Sequence, residues 1–176
     1  MEKLVINDDL YLSPPGDTDK DVFVKYLNDE DIYRTTLTLP YPYTPKDAEQ
    51  LLNRCKDERK KYGRNLYWLV RRNNGEAIGG IGFHMSYGLD SHRDELGYWI
   101  AKPYWGHGIM TKVVKRFCEY GFSYLGLVRI EAIVFENNKA SELVLEKNGF
   151  KYEGLLKKAY EKKGKYIDGR MYALVK

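Results

Sequence analysis

The chain is poor in cysteine. Cys55 and Cys118 are its only two, too few for a disulfide framework or a zinc site, so both are expected to stay reduced. No stretch approaches the ~20 apolar residues that a membrane span needs. The N-terminal run "MEKLVINDDLYL" lacks the basic-then-apolar order of a secretory signal. A cytoplasmic address, with no membrane partner and no metal, is the expectation left by these absences. Internal repeats and low-complexity linkers are missing too, which removes solenoids and arrays.

What remains is an ordinary globular composition. With 176 residues, 43% hydrophobic and 31% charged, one soluble domain over residues 1–176 is expected, large enough to bury roughly 70% of its unfolded surface. The net charge of +4 is mild but unevenly placed. Lys151, Lys157, Lys158, Lys162, Lys163, Lys165 and Arg170 outnumber Glu153, Glu161 and Asp168 near the C-terminus. That patch reads either as a solvated hairpin tip or as a surface for phosphates or an acidic partner. No basic stripe on an expected helix argues for nucleic acid.

Periodicity supplies the elements. "EKLVINDDLYLSP" reads as a first strand that stops at Pro14-Pro15, and "DKDVFVKYLNDEDIYR" as a helix with Val22, Phe23, Tyr26 and Leu27 on one face. "TTLTLPYPYTP" holds three prolines and is expected as an aromatic-rich loop. Thr44 then caps a helix with Pro45 in its first turn that runs to Gly63. "NLYWLVRR" and "AIGGIGFHMSY" form a hairpin about Asn74-Gly75. "DELGYWIA" is a further strand. A helix follows with Ile109, Val113, Phe117, Tyr120 and Tyr124 on one face, then the apolar strand "VRIEAIVFE". "NKASELVLEKNG" is a short helix ended by Gly149, and the remainder is a closing hairpin. The order β–α–α–β–β–β–α–β–α–β–β predicts an α/β (α+β) chain, a mixed sheet with helices on both faces.

One junction carries chemistry. In "YWGHGIMTKVVKRF", Gly106 and Gly108 flank His107 where a strand hands over to a helix. Glycine is favoured where backbone turns tightly or approaches a group closely. A helix start offers unpaired N–H groups and a partial positive charge. Together they suggest an anion site, most naturally a phosphate. G-x-G alone matches neither the dinucleotide nor the triphosphate fingerprint, so a structural turn and a phosphate cradle stand level on this stretch.

A second stretch, "NKASELVLEKNGF", tips that balance. Together with "LGYWIAKPYWGHGIMTKVVKRF" and "VRIEAIVFENNKASELVLEKNGFKYEG", it resembles the GNAT superfamily of N-acetyltransferases, and "LPYPYTPKDAEQLL" is similar to the N-terminal region of its RimJ/RimL-like branch. The resemblance runs from about Leu10 to Tyr172. It implies the acyl-CoA N-acyltransferase fold: a mostly antiparallel central sheet with a splayed parallel strand pair, here Glu95–Ala101 and Arg129–Glu136. It also implies acetyl-CoA as cosubstrate. Backbone of Trp99, Ile100 and Ala101 would pair with the pantetheine arm, and the N–H groups of Trp105, Gly106, His107, Gly108, Ile109 and Met110 would hold the pyrophosphate. The family pattern Gln/Arg-x-x-Gly-x-Gly/Ala has Trp105, Gly108 and Met110 at its three fixed positions; tryptophan at the first is typical of the branch.

Amide formation needs a neutral amine, a polarised thioester carbonyl and a proton for the departing thiolate. Glu95, at the start of the strand beside the expected cleft, is the first candidate base, an ordinary strand-end charge being the plain alternative. Glu131 is the second: a carboxylate in an apolar strand would have a raised pKa, unless it is held in a salt bridge. The resemblance places a tyrosine acid of many relatives at Leu145, so Ser141 is the remaining hydroxyl. Asn138 and Ser141 suit pantetheine or sulfur contacts and suit helix capping equally. Tyr41, Tyr43 and the basic hairpin would flank the mouth for the acceptor, a protein N-terminus or a small amine. A monomer or homodimer is expected. The alternative function is a non-catalytic acyl-CoA-binding sensor.

Overall fold

Caps and turns fix most element boundaries in the computed structural model, which describes residues 3–88, 90–135 and 137–176. Glu2 and Glu136, which the strand expectations included, lie outside them. The first expected strand is two: β1 (Leu4–Val5) and β2 (Leu10–Ser13) pair antiparallel. Asn7 makes the turn between them, its Oδ1 accepting from the N–H groups of Asp9 and Leu10, a side-chain alternative to strand pairing.

The first expected helix also divides, into α1 (Lys20–Leu27) and α2 (Glu30–Thr35). Asp29 Oδ1 accepts from Asp31 and Ile32 N–H and starts a new helix where periodicity alone would continue the old one. α3 (Pro45–Tyr62) is bounded as expected: Thr44 and Asp47 cap each other, and Gly63 closes it in the left-handed conformation at φ 67°. β3 (Tyr67–Arg72) and β4 (Ala77–Phe83) form the hairpin about Gly75. Then come β5 (Arg93–Ile100), α4 (Ile109–Ser123), β6 (Arg129–Phe135), α5 (Lys139–Lys147), β7 (Lys151–Lys162) and β8 (Lys165–Val175).

Strands are hydrogen-bonded in the order β1-β2-β3-β4-β5-β6-β8-β7. The ladders β1/β2, β2/β3, β3/β4, β6/β8 and β7/β8 are antiparallel, and β5/β6 is parallel. The parallel ladder has three rungs: Arg93↔Arg129, Asp94↔Ile130 and Glu95↔Glu131.

The chain divides into two compact units, one of residues 1–82 with 98–107, the other of residues 83–97 with 108–176. The first buries Phe23, Leu27, Leu52, Leu69 and Trp99 together. Tyr43 belongs to this core at 3% exposure, and burial pushes its hydroxyl up to about 12; it is not at a mouth, unlike Tyr41, which is exposed and packs on the Tyr33 ring. In the second unit Phe83 stacks on Phe117 at 4.8 Å. Val113 and Tyr120 are buried on α4, as periodicity predicts, whereas Tyr124 lies past the helix end and is 70% exposed. Cys118 is buried on the same helix and Cys55 is half-buried on α3; burial lifts their thiols to about 12 and about 11. Among the described residues no helix is long and apolar enough to cross a membrane.

Candidate active site

The Gly106–Gly108 turn has the backbone that its glycines suggest. Both are left-handed, at φ 77° and 68°, where a side chain is strained. A Cβ built at either position meets nothing within 4 Å, so glycine answers to backbone conformation and not to crowding within the chain. Gly108 is the N-cap of α4 and offers no side-chain cap. The first bond back to it is Lys112 N–H to Gly108 O, at 3.4 Å. The N–H groups of Gly108, Ile109, Met110 and Thr111 therefore have no partner inside the helix. His107 is exposed and Trp105 is 40% exposed, while the Met110 side chain is buried, so only the main chain of Met110 is available to a ligand.

Upstream, Trp99 is a core residue whose indole donates to Tyr67 Oη at 2.6 Å. Two of the groups expected beside pantetheine are already engaged. Ala101 N–H donates to Ile78 O (2.8 Å) and the Trp105 indole donates to Ile100 O (2.7 Å).

Glu95 and Glu131 form the last rung of the parallel ladder. The Glu95 carboxyl is 26% exposed; the Ser86 hydroxyl donates to its Oε2 at 3.4 Å, and His84 Nδ1 lies 3.7 Å from its Oε1. Burial raises its pKa above the usual carboxylate range, against the opposing pull of His84 and Ser86. Glu131 takes the salt-bridged alternative. Its carboxyl is 3% exposed, and burial alone would raise its pKa, as the sequence suggests. The Tyr87 hydroxyl donates to Oε2 (2.5 Å), while Arg129 Nε (2.5 Å) and Arg93 (3.3 Å) lie against Oε1. Together these outweigh burial and hold the group below the ordinary value. An anchored carboxylate of this kind is a poor proton acceptor.

Asn138 caps α5, its Oδ1 accepting from Ser141 N–H at 3.1 Å. Ser141 is half-buried. Leu145 is fully buried in the second unit, and Lys147 is exposed. Sequence reasoning missed His84, Ser86, Tyr87 and Tyr160. The first three lie in the β4–β5 connection, and Tyr160, half-buried on β7, has its hydroxyl pushed up by burial and by the nearby Glu95 and Tyr87. The run "FHMSY", polar and aromatic side chains at a strand end before "DEL", was the available signal.

Residues 9–151 match the family described as Acetyltransferase (GNAT) domain. The chain is similar to the uncharacterized N-acetyltransferase YoaA of Bacillus subtilis (strain 168), 40% identical over 114 residues, and spans 64% of that protein as of itself. It is also similar to the uncharacterized N-acetyltransferase p20 of Bacillus licheniformis, 30% identical over 158 residues, which cover 90% of this chain and 88% of the other. Among solved structures, RimL, a ribosomal L7/L12 alpha-N-protein acetyltransferase in complex with coenzyme A, has a TM-score of 0.88 at 20% identity, covering 99% of this chain and 98% of that one. The last likeness is one of fold.

Proposed function

This chain belongs to the GNAT acetyltransferase family, and from that premise we propose that it moves the acetyl group of acetyl-CoA to a primary amine by direct attack in a ternary complex. One observation carries the reading. Gly106 and Gly108 hold left-handed backbone with open space where side chains would stand, and the unpaired N–H groups of α4 follow at once. A diphosphate suits that cradle. Several N–H bonds to a charged acceptor count for more than the helix dipole, which contributes ~0.3–1 kcal/mol per charge. Coenzyme A in the RimL structure supports the same ligand class.

The backbone from Trp105 to Met110 would bind the pyrophosphate, and the pantetheine arm would run along the Trp99–Ala101 strand, whose Ile100 O and Ala101 N–H are engaged within the chain. Acetyl-CoA supplies the thioester that is cleaved. Glu95, its pKa raised by burial, takes the amine proton; a base is most effective when its pKa approaches working pH. An N–H of the strand near Ile100 polarises the thioester carbonyl, and the Ser141 hydroxyl hydrogen-bonds the leaving sulfur. No part of this chemistry asks for a metal.

The acceptor is read from charge. Lys157, Lys158, Lys163 and Lys165 are exposed at the β7–β8 tip, and burial beside Lys163 lowers the pKa of Lys162. Such a rim favours an acidic peptide N-terminus or a phosphorylated small amine over a polyamine. Reduced cysteines fit action in the cytoplasm, as monomer or homodimer. Thiol release from acetyl-CoA with acidic, neutral and cationic amines tests the proposal, with mass spectrometry identifying the acetylated product. Faster turnover of polyamines would overturn the acceptor class. Calorimetric binding without thiol release across the panel would make the protein an acyl-CoA sensor instead.

A further inference from the structure

We propose that His84 is the positioning and proton-relay residue for Glu95, an inference that rests on Glu95 being the base. The two residues meet across adjacent strands: His84 N–H donates to Glu95 O at 3.0 Å, and His84 Nδ1 stands 3.7 Å from Glu95 Oε1. That gap is wider than a hydrogen bond and of the kind that tightens when substrate is bound.

A second, independent observation fixes the ring. A Cβ at Gly97 would stand 2.2 Å from His84 Nε2 and 2.9 Å from Cε1. Gly97 sits inside β5, where glycine weakens a strand and marks close approach of another group. Here that group is the imidazole. The His84 side chain is 51% exposed and the Glu95 carboxyl 26%, so the ring joins a largely buried acid to water. Among the described residues the groups facing Glu95 are His84, Ser86 and Tyr87 of the β4–β5 connection, Asp94 of its own strand, Glu131 of β6 and Tyr160 of β7. Of these, the imidazole carries two ring nitrogens and so can take a proton at one and release one from the other.

The steps balance. As the amine nitrogen bonds to the acetyl carbon, the carbon–sulfur bond breaks and its electron pair leaves on sulfur as the thiolate, which takes a proton from water. The amine proton passes to the Glu95 carboxylate. The Glu95 acid then protonates neutral His84 at Nδ1, restoring the carboxylate. The imidazolium gives a proton to water at its exposed face, and exchange with water resets the ring.

Rates with acetyl-CoA and an aspartyl-alanine dipeptide test this, together with NMR titration of the His84 ring. His84→Ala should lower kcat about 10²-fold, the low end of the range of general acid–base catalysis, with the KM for acetyl-CoA unchanged. Added imidazole should restore part of the loss. His84→Gln keeps a polar side chain that cannot carry a proton and should stay slow. Gly97→Ala, which displaces the ring, should reproduce the kcat loss. Glu95→Gln should be slow and unresponsive to imidazole, and should move the His84 titration. If Glu95→Gln is slow while His84→Ala matches wild type, the relay fails and the base stands. If Glu95→Gln matches wild type, the base reading itself fails. A His84 titration unmoved by Glu95→Gln overturns the pairing whether or not the dipeptide is acetylated.

Discussion

Glu95 and Glu131 stand opposite one another as the final rung of a three-rung parallel ladder, yet their surroundings push the two carboxyls in contrary directions. Burial raises the first, while Tyr87, Arg129 and Arg93 lower the second. Neighbouring acids separated in this way can divide their roles: Glu95 is the proposed proton acceptor, and Glu131 is held by Tyr87, Arg129 and Arg93.

Glu95→Gln removes the proton acceptor. The expected loss in kcat is about 10²-fold or more, measured by thiol release. The wild-type rate should fall as pH drops through the raised Glu95 pKa, on the neutral side of an ordinary carboxylate, and this limb should vanish in the variant. Stability carries the opposite sign. A raised pKa favours folding below the unfolded value, and that advantage is lost as pH rises through the folded value. At neutral pH Glu95→Gln should therefore melt no lower than wild type.

Glu131→Ala removes the carboxylate shared by Tyr87, Arg93 and Arg129, although Arg129 keeps Glu153 and Arg93 is 40% exposed. The urea midpoint should drop, with a loss of stability below the ~3–5 kcal/mol of a fully buried pair. The lowered pKa of Glu131 gives stability that is present above its unfolded value and disappears as pH falls through its folded value. Wild type and variant should thus converge in acid. Equal midpoints at pH 7 would remove the anchoring role.

Gly108→Val puts a branched side chain at φ 68°. Left-handed backbone costs an ordinary residue roughly 1–2 kcal/mol, a modest loss of stability because no neighbour is struck. Affinity for acetyl-CoA should suffer much more, since the new side chain enters the space proposed for the diphosphate. Calorimetry with acetyl-CoA is the check; unchanged affinity would remove the cradle.

Leu145→Tyr would supply the phenol that the family resemblance implies for this position. Leu145 is completely buried, so the larger ring must be forced into packed space at about 1–3 kcal/mol. Thermal melting should show the cost, and kcat should not rise.

Much of the fold was legible because local chemistry decided it. Thr44 with Pro45, the Asn74-Gly75 turn, Gly108 before α4 and Asn138 before α5 all lie where their side chains or dihedral freedom require. The splits at Asn7 and Asp29 were missed because a single side chain competes there with an otherwise continuous apolar period. The left-handed turn at Gly106 and Gly108 could be read from one short stretch. The Glu95 surroundings could not. His84 and Glu95 meet only through strand register, and Glu131 is neutralised by Tyr87, Arg93 and Arg129 from places that no periodicity brings together.

The two sheltered thiols have a practical consequence. Held near 11 and 12, Cys55 and Cys118 are almost wholly protonated under physiological conditions and present little nucleophile to an alkylating reagent. Pulse labelling with iodoacetamide should therefore mark molecules that have opened and spare those that have not. Each variant above can be sorted by that label into damaged chemistry or damaged architecture, without an added reporter.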